Sequence, residues 1–238
     1  MKKPPESAMV LAAGLGTRLR PLTDTRPKAL VEVAGRSLID RALDRLVAAG
    51  VSRAVVNLHH HAETLRRHLA GRRDIDIVCS DESRELLDTG GGVAKALSLL
   101  GSAPFLVVNA DALWFDGTRN TLHRLAEAWD GRRMEALMLM HPTVQAVGYD
   151  GRGDYHMAPT GRLRRRNHSE VVPFLFAGVQ ILSPKLFADG PTGAFSLNRI
   201  YDQAEGRRRL FGCRHLGIWM HVGSPAGLAE AEAALAAL

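Results

Sequence analysis

The residues with the clearest chemical potential lie in a glycine-rich loop that follows a short apolar run near the start of the sequence. The run 8–13 is followed by two glycines and two cations: Gly14, Gly16, Arg18 and Lys28. Backbone N–H groups exposed in such a loop can bind a triphosphate, and the cations can offset charge on the reacting phosphates. The alternative is a turn with solvated charges, which a lone Gly-x-Gly would favour.

This loop differs from two common phosphate-binding motifs. A dinucleotide-binding fingerprint has a third glycine where this chain has Leu19, and Pro21 prevents a helix from starting at once. The Gly-Lys-Ser/Thr ending of a Walker A loop is missing as well. The longer pattern GxGTRxxPLT followed by PKxL is much more specific than Gly-x-Gly, and it favours phosphate binding over a simple turn.

A segment that ends in a carboxylate, Asn109-Ala110-Asp111, directly follows a second apolar run, 105–108, which is predicted to be a strand. Ligands of open α/β sheets bind at the carboxyl ends of strands, where a carboxylate can hold Mg²⁺ against phosphate oxygens. A turn or helix N-cap aspartate is an equally good interpretation of the residue alone. The metal site becomes the better interpretation because the phosphate-binding loop is expected beside it.

Two more segments carry glycines next to an aspartate. Asp88 and Thr89 precede three glycines, 90–92, which would permit close approach of a planar base or a sugar. An N-cap followed by a flexible start of a helix explains these residues equally well. Asp154 could bind sugar hydroxyls or form a turn, and neither interpretation is favoured.

An arginine-rich segment, GRLRRRNHSE, resembles one arm of a hairpin. On a strand, Arg162, Arg164 and Arg166 would share one face because side chains alternate. That face would contact an anionic substrate or form the solvated side of the hairpin, and the residues alone favour the solvated side.

Composition limits the classes of partner. The chain of 238 residues is 46% hydrophobic with a formal net charge of +6, which suits nucleic acid or small phosphates. Aromatic residues make up only 5%, which leaves few platforms for base stacking and disfavours nucleic acid.

No apolar stretch approaches the ~20 residues that span a bilayer, so no membrane partner is expected. The two cysteines lack metal-ligand spacing, which is typical of a reduced, cytoplasmic compartment. The sequence indicates no particular oligomeric state.

Strand and helix signals alternate through the first half of the chain. Predicted strands cover 9–13, 54–58, 75–79 and 105–108, and predicted helices cover 38–49, 62–69, 93–100 and 122–129. The second half is richer in β signals, with strands at 171–182 and 216–222 and helices at 197–204 and 226–238. This order predicts a Rossmann-like α/β fold with a mostly parallel central sheet between helices. We expect one domain, 1–238, with a nucleotide-binding half at about 1–148 and a β-rich half for the sugar phosphate at 149–238.

Together these segments resemble the sugar-1-phosphate nucleotidyltransferase family over nearly the whole chain. LAAGLGTRLRPLT with PKAL is similar to its signature loop, Asn109-Ala110-Asp111 to its strand-end metal site, and WMHVGSPAGLAEAE to its C-terminal W-x-D-x-G-T/S segment. The finer pattern of LLDTGGG, GRGDY, FAGV and AFSLNRIYD is closest to one branch, the N-acetylmuramate-1-phosphate uridylyltransferases of bacterial cell-wall recycling. Mannose-1-phosphate guanylyltransferases and relatives for other phosphorylated substrates share much of this pattern.

The resemblance implies a Mg²⁺-dependent enzyme in which a sugar phosphate attacks the α-phosphorus of a nucleoside triphosphate, UTP being favoured, and pyrophosphate leaves. Arg18 would neutralise the pyrophosphate, Lys28 would lie by the α-phosphate and the incoming phosphate, and Asp111 would bind Mg²⁺. The residues implied to bind the nucleotide are Leu11, Ala12, Ala13, Gly14, Gly16, Thr17, Arg18, Thr89 and Gly90. The residues implied to face the sugar phosphate are Asp88, Asn109, Asp154 and Gly178.

One position departs from the family pattern. His221 stands where the family has a second metal-binding carboxylate, and Mg²⁺ prefers oxygen ligands to a neutral imidazole. Asp111 and the triphosphate could hold Mg²⁺ without a second carboxylate, or Mn²⁺ could replace it. The third alternative is a catalytically weakened protein that binds nucleotide sugars.

Overall fold

The computed structural model describes residues 2–237 as an α/β fold with thirteen strands and six α-helices. The strands are β1 Ser7–Leu11, β2 Glu32–Val33, β3 Arg36–Ser37, β4 Arg53–Leu58, β5 Asp76–Asp81, β6 Phe105–Asn109, β7 Ala112–Phe115, β8 Ala136–Pro142, β9 Tyr155–Met157, β10 Leu163–Arg165, β11 Phe174–Leu182, β12 Leu210–Arg214 and β13 Ile218–His221. The helices are α1 Leu38–Ala48, α2 Ala62–Leu69, α3 Asp88–Leu100, α4 Thr121–Ala128, α5 Asn198–Gly206 and α6 Pro225–Ala236. Within residues 2–237, every helix is too short or too polar to cross a membrane.

Four strands of the first half form the parallel centre of a nine-stranded sheet, in the order β6-β1-β4-β5. The register pairs Leu11 at the end of β1 with Asn109 at the end of β6. Because the carboxyl ends of parallel strands meet at one edge, the segments after Leu11 and Asn109 start side by side. This confirms the predicted mostly parallel central sheet and the expected meeting of its strand ends.

Strands of the second half extend the same sheet in the antiparallel sense. β11 pairs antiparallel with β6, and also with β8, while β12 pairs parallel with β8. β9 and β10 form a hairpin that joins β11 where Tyr155 lies opposite Phe174. The second half is therefore β-rich, as predicted, and its hairpin stands beyond the carboxyl end of β6.

Helices cover both faces of the sheet because residues along β1 alternate between two cores. Ala8 and Val10 pack in the core formed with α1, α2 and α4, whereas Met9 packs in the core formed with α3 and α5. The start of α1 is fixed by Ser37, whose hydroxyl accepts a hydrogen bond from the Asp40 backbone N–H at 3.2 Å.

The predicted boundaries hold within two residues for α1, α2, α4 and α6, although residue 238, the last of that predicted helix, lies outside the described part of the chain. One predicted helix start is wrong: α3 begins at Asp88 rather than after the three glycines. The three glycines are helical residues, and neighbours leave no room for a side chain at two of them. A Cβ on Gly90 would lie 2.3 Å from the Phe195 ring, and one on Gly91 would lie 2.3 Å from the Gly193 carbonyl oxygen. Close packing therefore explains why glycine stands at these helical positions.

Candidate active site

A cavity of about 590 Å³ opens at the carboxyl ends of β1 and β6, and most of the predicted site residues line it. It contains the predicted catalytic residues Arg18, Lys28 and Asp111. Of the other predicted residues, it contains Leu11, Ala12, Ala13, Gly14, Gly16, Thr17, Asp88, Thr89 and Asn109. The structure therefore brings the glycine-rich loop, the start of α3 and the end of β6 together around one space.

The glycine-rich loop is held in a compact turn by its own residues. Gly16 has φ +65°, and its carbonyl oxygen accepts a hydrogen bond from the Thr23 hydroxyl at 2.9 Å. A Cβ at Gly16 would lie 2.8 Å from Thr23 Cγ2 and 3.0 Å from Lys28 Cβ, so both conformation and space require glycine. β1 ends at Leu11 rather than at the predicted residue 13, so Ala12 and Ala13 already belong to the loop. Arg18 is exposed on this loop and borders the cavity.

Lys28 and Asp111 form an ion pair inside the cavity, in which Lys28 Nζ donates a hydrogen bond to Asp111 Oδ2. Burial raises the pKa of Asp111, but the charge and hydrogen bond of Lys28 outweigh burial and hold it below its ordinary value. Asp111 is therefore a carboxylate at neutral pH. A basic loop residue and a strand-end acid thus meet, as the strand-end argument predicted.

His221 ends β13, and its pairing opposite Ala112 brings it beside Asp111. Its ring lies over Gly223, where a Cβ would be 2.3 Å from His221 Nε2, and Gly223 borders the cavity. Burial lowers the pKa of His221, and the charges of Arg18 and Lys28 lower it further, so the imidazole is neutral at pH 7. His221 therefore offers a nitrogen ligand but no negative charge.

His221 is not part of the cavity lining, and three more predicted residues also lie outside it. Gly90 donates its backbone N–H to the Phe195 carbonyl oxygen at 2.8 Å. Gly178, with φ +79°, packs against Asn109 and Ala112. Asp154 lies in a separate cavity of about 400 Å³.

That second cavity carries positive charge and one unusual acid. Asp154 Oδ2 accepts a hydrogen bond from the Phe176 backbone N–H at 2.8 Å, and burial raises the pKa of this carboxyl. Arg165 and Arg166 line the cavity. Arg162 and Arg164 are exposed on either side of buried Leu163, as the favoured interpretation of a solvated face predicted, and Arg164 forms a bidentate pair with Glu170 at 2.9 and 3.0 Å. The alternation does not extend to Arg166, because β10 ends at Arg165.

Sequence reasoning missed Asn57, which borders the main cavity and bonds to the loop backbone. The strand-end rule that singled out Asp111 applies equally to Asn57, the second-last residue of β4.

Comparison with known proteins agrees with this site. The family described as "Nucleotidyl transferase" matches residues 7–149, which contain the loop, the start of α3 and Asp111. The chain belongs to this family, and the resemblance inferred from its motifs is confirmed.

Two relatives that align over nearly the whole chain, and one solved structure, give a more specific comparison than the family. The chain is 45% identical over 240 residues to the N-acetylmuramate alpha-1-phosphate uridylyltransferase of Caulobacter vibrioides, covering 99% of each chain. It is 36% identical over 235 residues to the protein of the same name from Neisseria meningitidis serogroup B, covering 95% of this chain and 96% of the relative. A solved UDP-glucose pyrophosphorylase complexed with UDP-glucose has a TM-score of 0.78 at 17% identity, covering 100% of this chain and 99% of the other, which shows the shared fold.

Proposed function

We propose that this protein transfers a uridylyl group from UTP to N-acetylmuramate 1-phosphate and releases pyrophosphate. The observation that carries the proposal is the convergence of Arg18, Lys28 and Asp111 on one cavity. The names of the two full-length relatives support the choice of UTP and of this sugar phosphate.

The reaction proposed is an in-line displacement at phosphorus. A phosphate oxygen of the sugar phosphate forms a bond to the α-phosphorus as the bond to the pyrophosphate oxygen breaks. Arg18 would offset charge on the departing pyrophosphate, and Lys28 would neutralise the α-phosphate and the incoming phosphate. Catalysis of this kind comes from positioning and charge neutralisation, since no protein group is bonded to the substrate.

Mg²⁺ is the metal we propose, and the donors present fit one mode of binding it. Within residues 2–237, no three His, Cys, Asp or Glu side chains are grouped to hold a metal ion. Mg²⁺ is commonly bound by one or two carboxylates together with substrate phosphates and water. Asp111 would hold it jointly with the triphosphate, and Mg²⁺ would neutralise phosphate charge. His221 would be a weak nitrogen ligand that favours Mn²⁺ over Mg²⁺ more than a carboxylate would.

The two cavities suggest that the halves 1–148 and 149–238 bind different parts of the substrates. The main cavity would take the nucleotide on the loop and the start of α3. The second cavity would take the sugar end of the substrate, with Asp154 accepting hydrogen bonds from hydroxyls and Arg166 attracting negative charge. Asp88 and Asn109 would face the sugar phosphate from the main cavity, and Gly178 would support Asn109. We propose a cytoplasmic enzyme with small phosphates as partners and no nucleic acid.

Pyrophosphate release measured with each pair of UTP, CTP, GTP, ATP or dTTP and the 1-phosphates of N-acetylmuramate, N-acetylglucosamine, glucose or mannose tests the proposal. The highest kcat/KM is expected for UTP with N-acetylmuramate 1-phosphate. A higher value for GTP with mannose 1-phosphate would support the alternative guanylyltransferase activity. The absence of turnover for every pair, with Mg²⁺ and with Mn²⁺, would reject the enzyme in favour of a nucleotide-sugar-binding protein.

A further inference from the structure

A buried amide and a buried carboxylate lie directly behind the start of the glycine-rich loop. Asn57 near the end of β4 is 2% exposed, and Glu82 just after β5 is 1% exposed. Asn57 Oδ1 accepts hydrogen bonds from the backbone N–H groups of Ala12, at 2.7 Å, and Ala13, at 3.3 Å. Asn57 Nδ2 donates to Glu82 Oε1 at 2.8 Å. A continuous chain of hydrogen bonds therefore links the loop backbone to Glu82.

The second oxygen of Glu82 reaches the other wall of the cavity. Glu82 Oε2 accepts a hydrogen bond at 3.3 Å from the backbone N–H of Leu87, the residue before α3. Helix α3 closes over the pair at Gly92, where a Cβ would lie 2.8 Å from Glu82 Oε1 and 2.9 Å from Asn57 Nδ2. The pair thus touches two of the backbone segments that border the main cavity, the glycine-rich loop and the start of α3.

The direction of the Asn57 amide depends on Glu82. An asparagine amide turned by 180° exchanges its donor and its acceptor. In that orientation the Asn57 NH₂ would face two backbone N–H donors, which would then be buried without an acceptor. Because a carboxylate only accepts hydrogen bonds, Glu82 keeps the NH₂ on its own side and the amide oxygen on the side of the loop.

We propose that Asn57 and Glu82 are positioning residues that set the backbone of Ala12 and Ala13 for nucleotide binding. Glu82 acts through Asn57, since the cavity lining includes Asn57 but not Glu82. The inference rests on the proposed function, in which residues 12–13 belong to the nucleotide subsite. It adds a carboxylate that governs nucleotide affinity without touching the nucleotide.

The first test is Glu82→Gln, which keeps the shape but replaces one acceptor with a donor. Either the Asn57 amide turns or the Leu87 N–H loses its partner. The KM and the Kd for UTP should rise about tenfold, the effect of one buried hydrogen bond, while the KM for the sugar phosphate changes less than twofold. Glu135→Gln is the matched control, since Glu135 pairs with Arg207 and Arg209 at the other end of the sheet. A lower Tm with an unchanged ratio of the two KM values would indicate a merely structural role and overturn the proposal.

The second test needs no substrate. In Glu82→Gln, the amide protons that lose their acceptor should exchange with solvent at least about tenfold faster in NMR experiments on the full chain. These are the amide protons of Ala12 and Ala13 if the Asn57 amide turns, and that of Leu87 if it does not. Unchanged exchange at all three residues overturns the positioning role. Faster amide exchange in Glu82→Gln, together with no turnover of any substrate pair by the unsubstituted protein, supports the positioning role and rejects the proposed function instead.

The double variant Asn57→Asp/Glu82→Gln exchanges the two groups. The carboxylate at position 57 accepts from Ala12, Ala13 and the amide at 82, whose oxygen accepts from Leu87, so every donor has a partner. Slow exchange at the affected amide protons should return, and the double variant should fold even if Glu82→Gln alone does not. A double variant that exchanges as fast as Glu82→Gln, or folds no better than it, contradicts the proposed coupling.

Discussion

Lys28 Nζ donates a hydrogen bond to Asp111 Oδ2 across 83 positions of sequence, and this pair joins the glycine-rich loop to the end of β6. Lys28 brings a positive charge to the main cavity, and Asp111 brings the carboxylate proposed to hold Mg²⁺. The pair is therefore expected to act as one unit.

Lys28→Met and Asp111→Asn should each lower kcat about 10²–10³-fold, because the first removes a positive charge beside the reacting phosphates and the second removes the carboxylate proposed to hold Mg²⁺ there. The double variant should lose much less than the product of the single losses, since the two groups act together. Steady-state kinetics with pyrophosphate detection measures both effects. Lys185→Met, on an exposed turn, is the control. Fully multiplicative losses would show that the two residues work independently.

His221→Asp should lower the Mg²⁺ concentration for half-maximal activity by about tenfold. The substitution adds a second hard oxygen ligand beside Asp111, where a neutral imidazole now lies among cations. The ratio of Mn²⁺-supported to Mg²⁺-supported activity should fall at the same time. A metal titration at saturating substrates measures both quantities. His221→Asn provides the uncharged control, and an equal gain in that variant would contradict the explanation by charge.

Gly14→Ala should keep the Tm within about 2 °C while raising the KM for UTP about tenfold or more. A Cβ at Gly14 meets nothing within 4 Å, yet the residue borders the cavity, so the added methyl group can collide only with a ligand. Gly90→Ala is the contrasting variant, because its Cβ would lie 2.8 Å from the Phe195 carbonyl oxygen as well as against the ring. We expect it to lose about 2–3 kcal/mol of stability, or roughly 4–12 °C in Tm. Thermal melts with and without UTP distinguish the two effects, and a large loss of Tm in Gly14→Ala would contradict the open space seen there.

The free energy of unfolding should fall as the pH drops from about 6.5 to about 4. Burial lowers the pKa of His215 from 6.5 to about 4, so in this range the unfolded chain binds a proton that the folded protein does not. The loss should reach about 3 kcal/mol at the acid end, and buried His141, whose pKa burial also lowers, acts in the same direction. Urea unfolding at several pH values measures the slope. His215→Gln should flatten this slope by up to one proton, and an unchanged slope in that variant would contradict this source of the pH dependence.

Helices and strands were predictable where their own residues show the spacing of hydrophobic side chains that is typical of the element. Leu65 and Leu69 recur at helical spacing, and α2 has the predicted bounds. Strand β8 was missed because its sequence, ALMLMHP, has no alternation and lacks the β-branched residues that favour a strand in the equally buried run 105–108. The start of α3 was misplaced because glycines disfavour helix locally, whereas their packing against Phe195 is a tertiary contact.

Site residues likewise divide into those marked by a local sequence pattern and those brought together only by tertiary contacts. Arg18, Lys28 and Asp111 were predictable because a motif and a strand end placed them. Asn57 and Glu82 were missed because they stand 25 residues apart and meet only through the pairing of β4 with β5.

The junction between α3 and the chain before α5 limits how the enzyme can be redesigned. The Thr89 hydroxyl oxygen accepts a hydrogen bond from the Leu197 backbone N–H at 2.9 Å, and the Phe195 carbonyl oxygen accepts from Gly90 and Gly91. The wall proposed for the nucleotide and the helix beside the second cavity are thus tied at consecutive residues. Mutations selected to change the preferred base at Thr89 should also alter sugar selectivity, so a new pair of substrates would have to be selected together rather than one at a time.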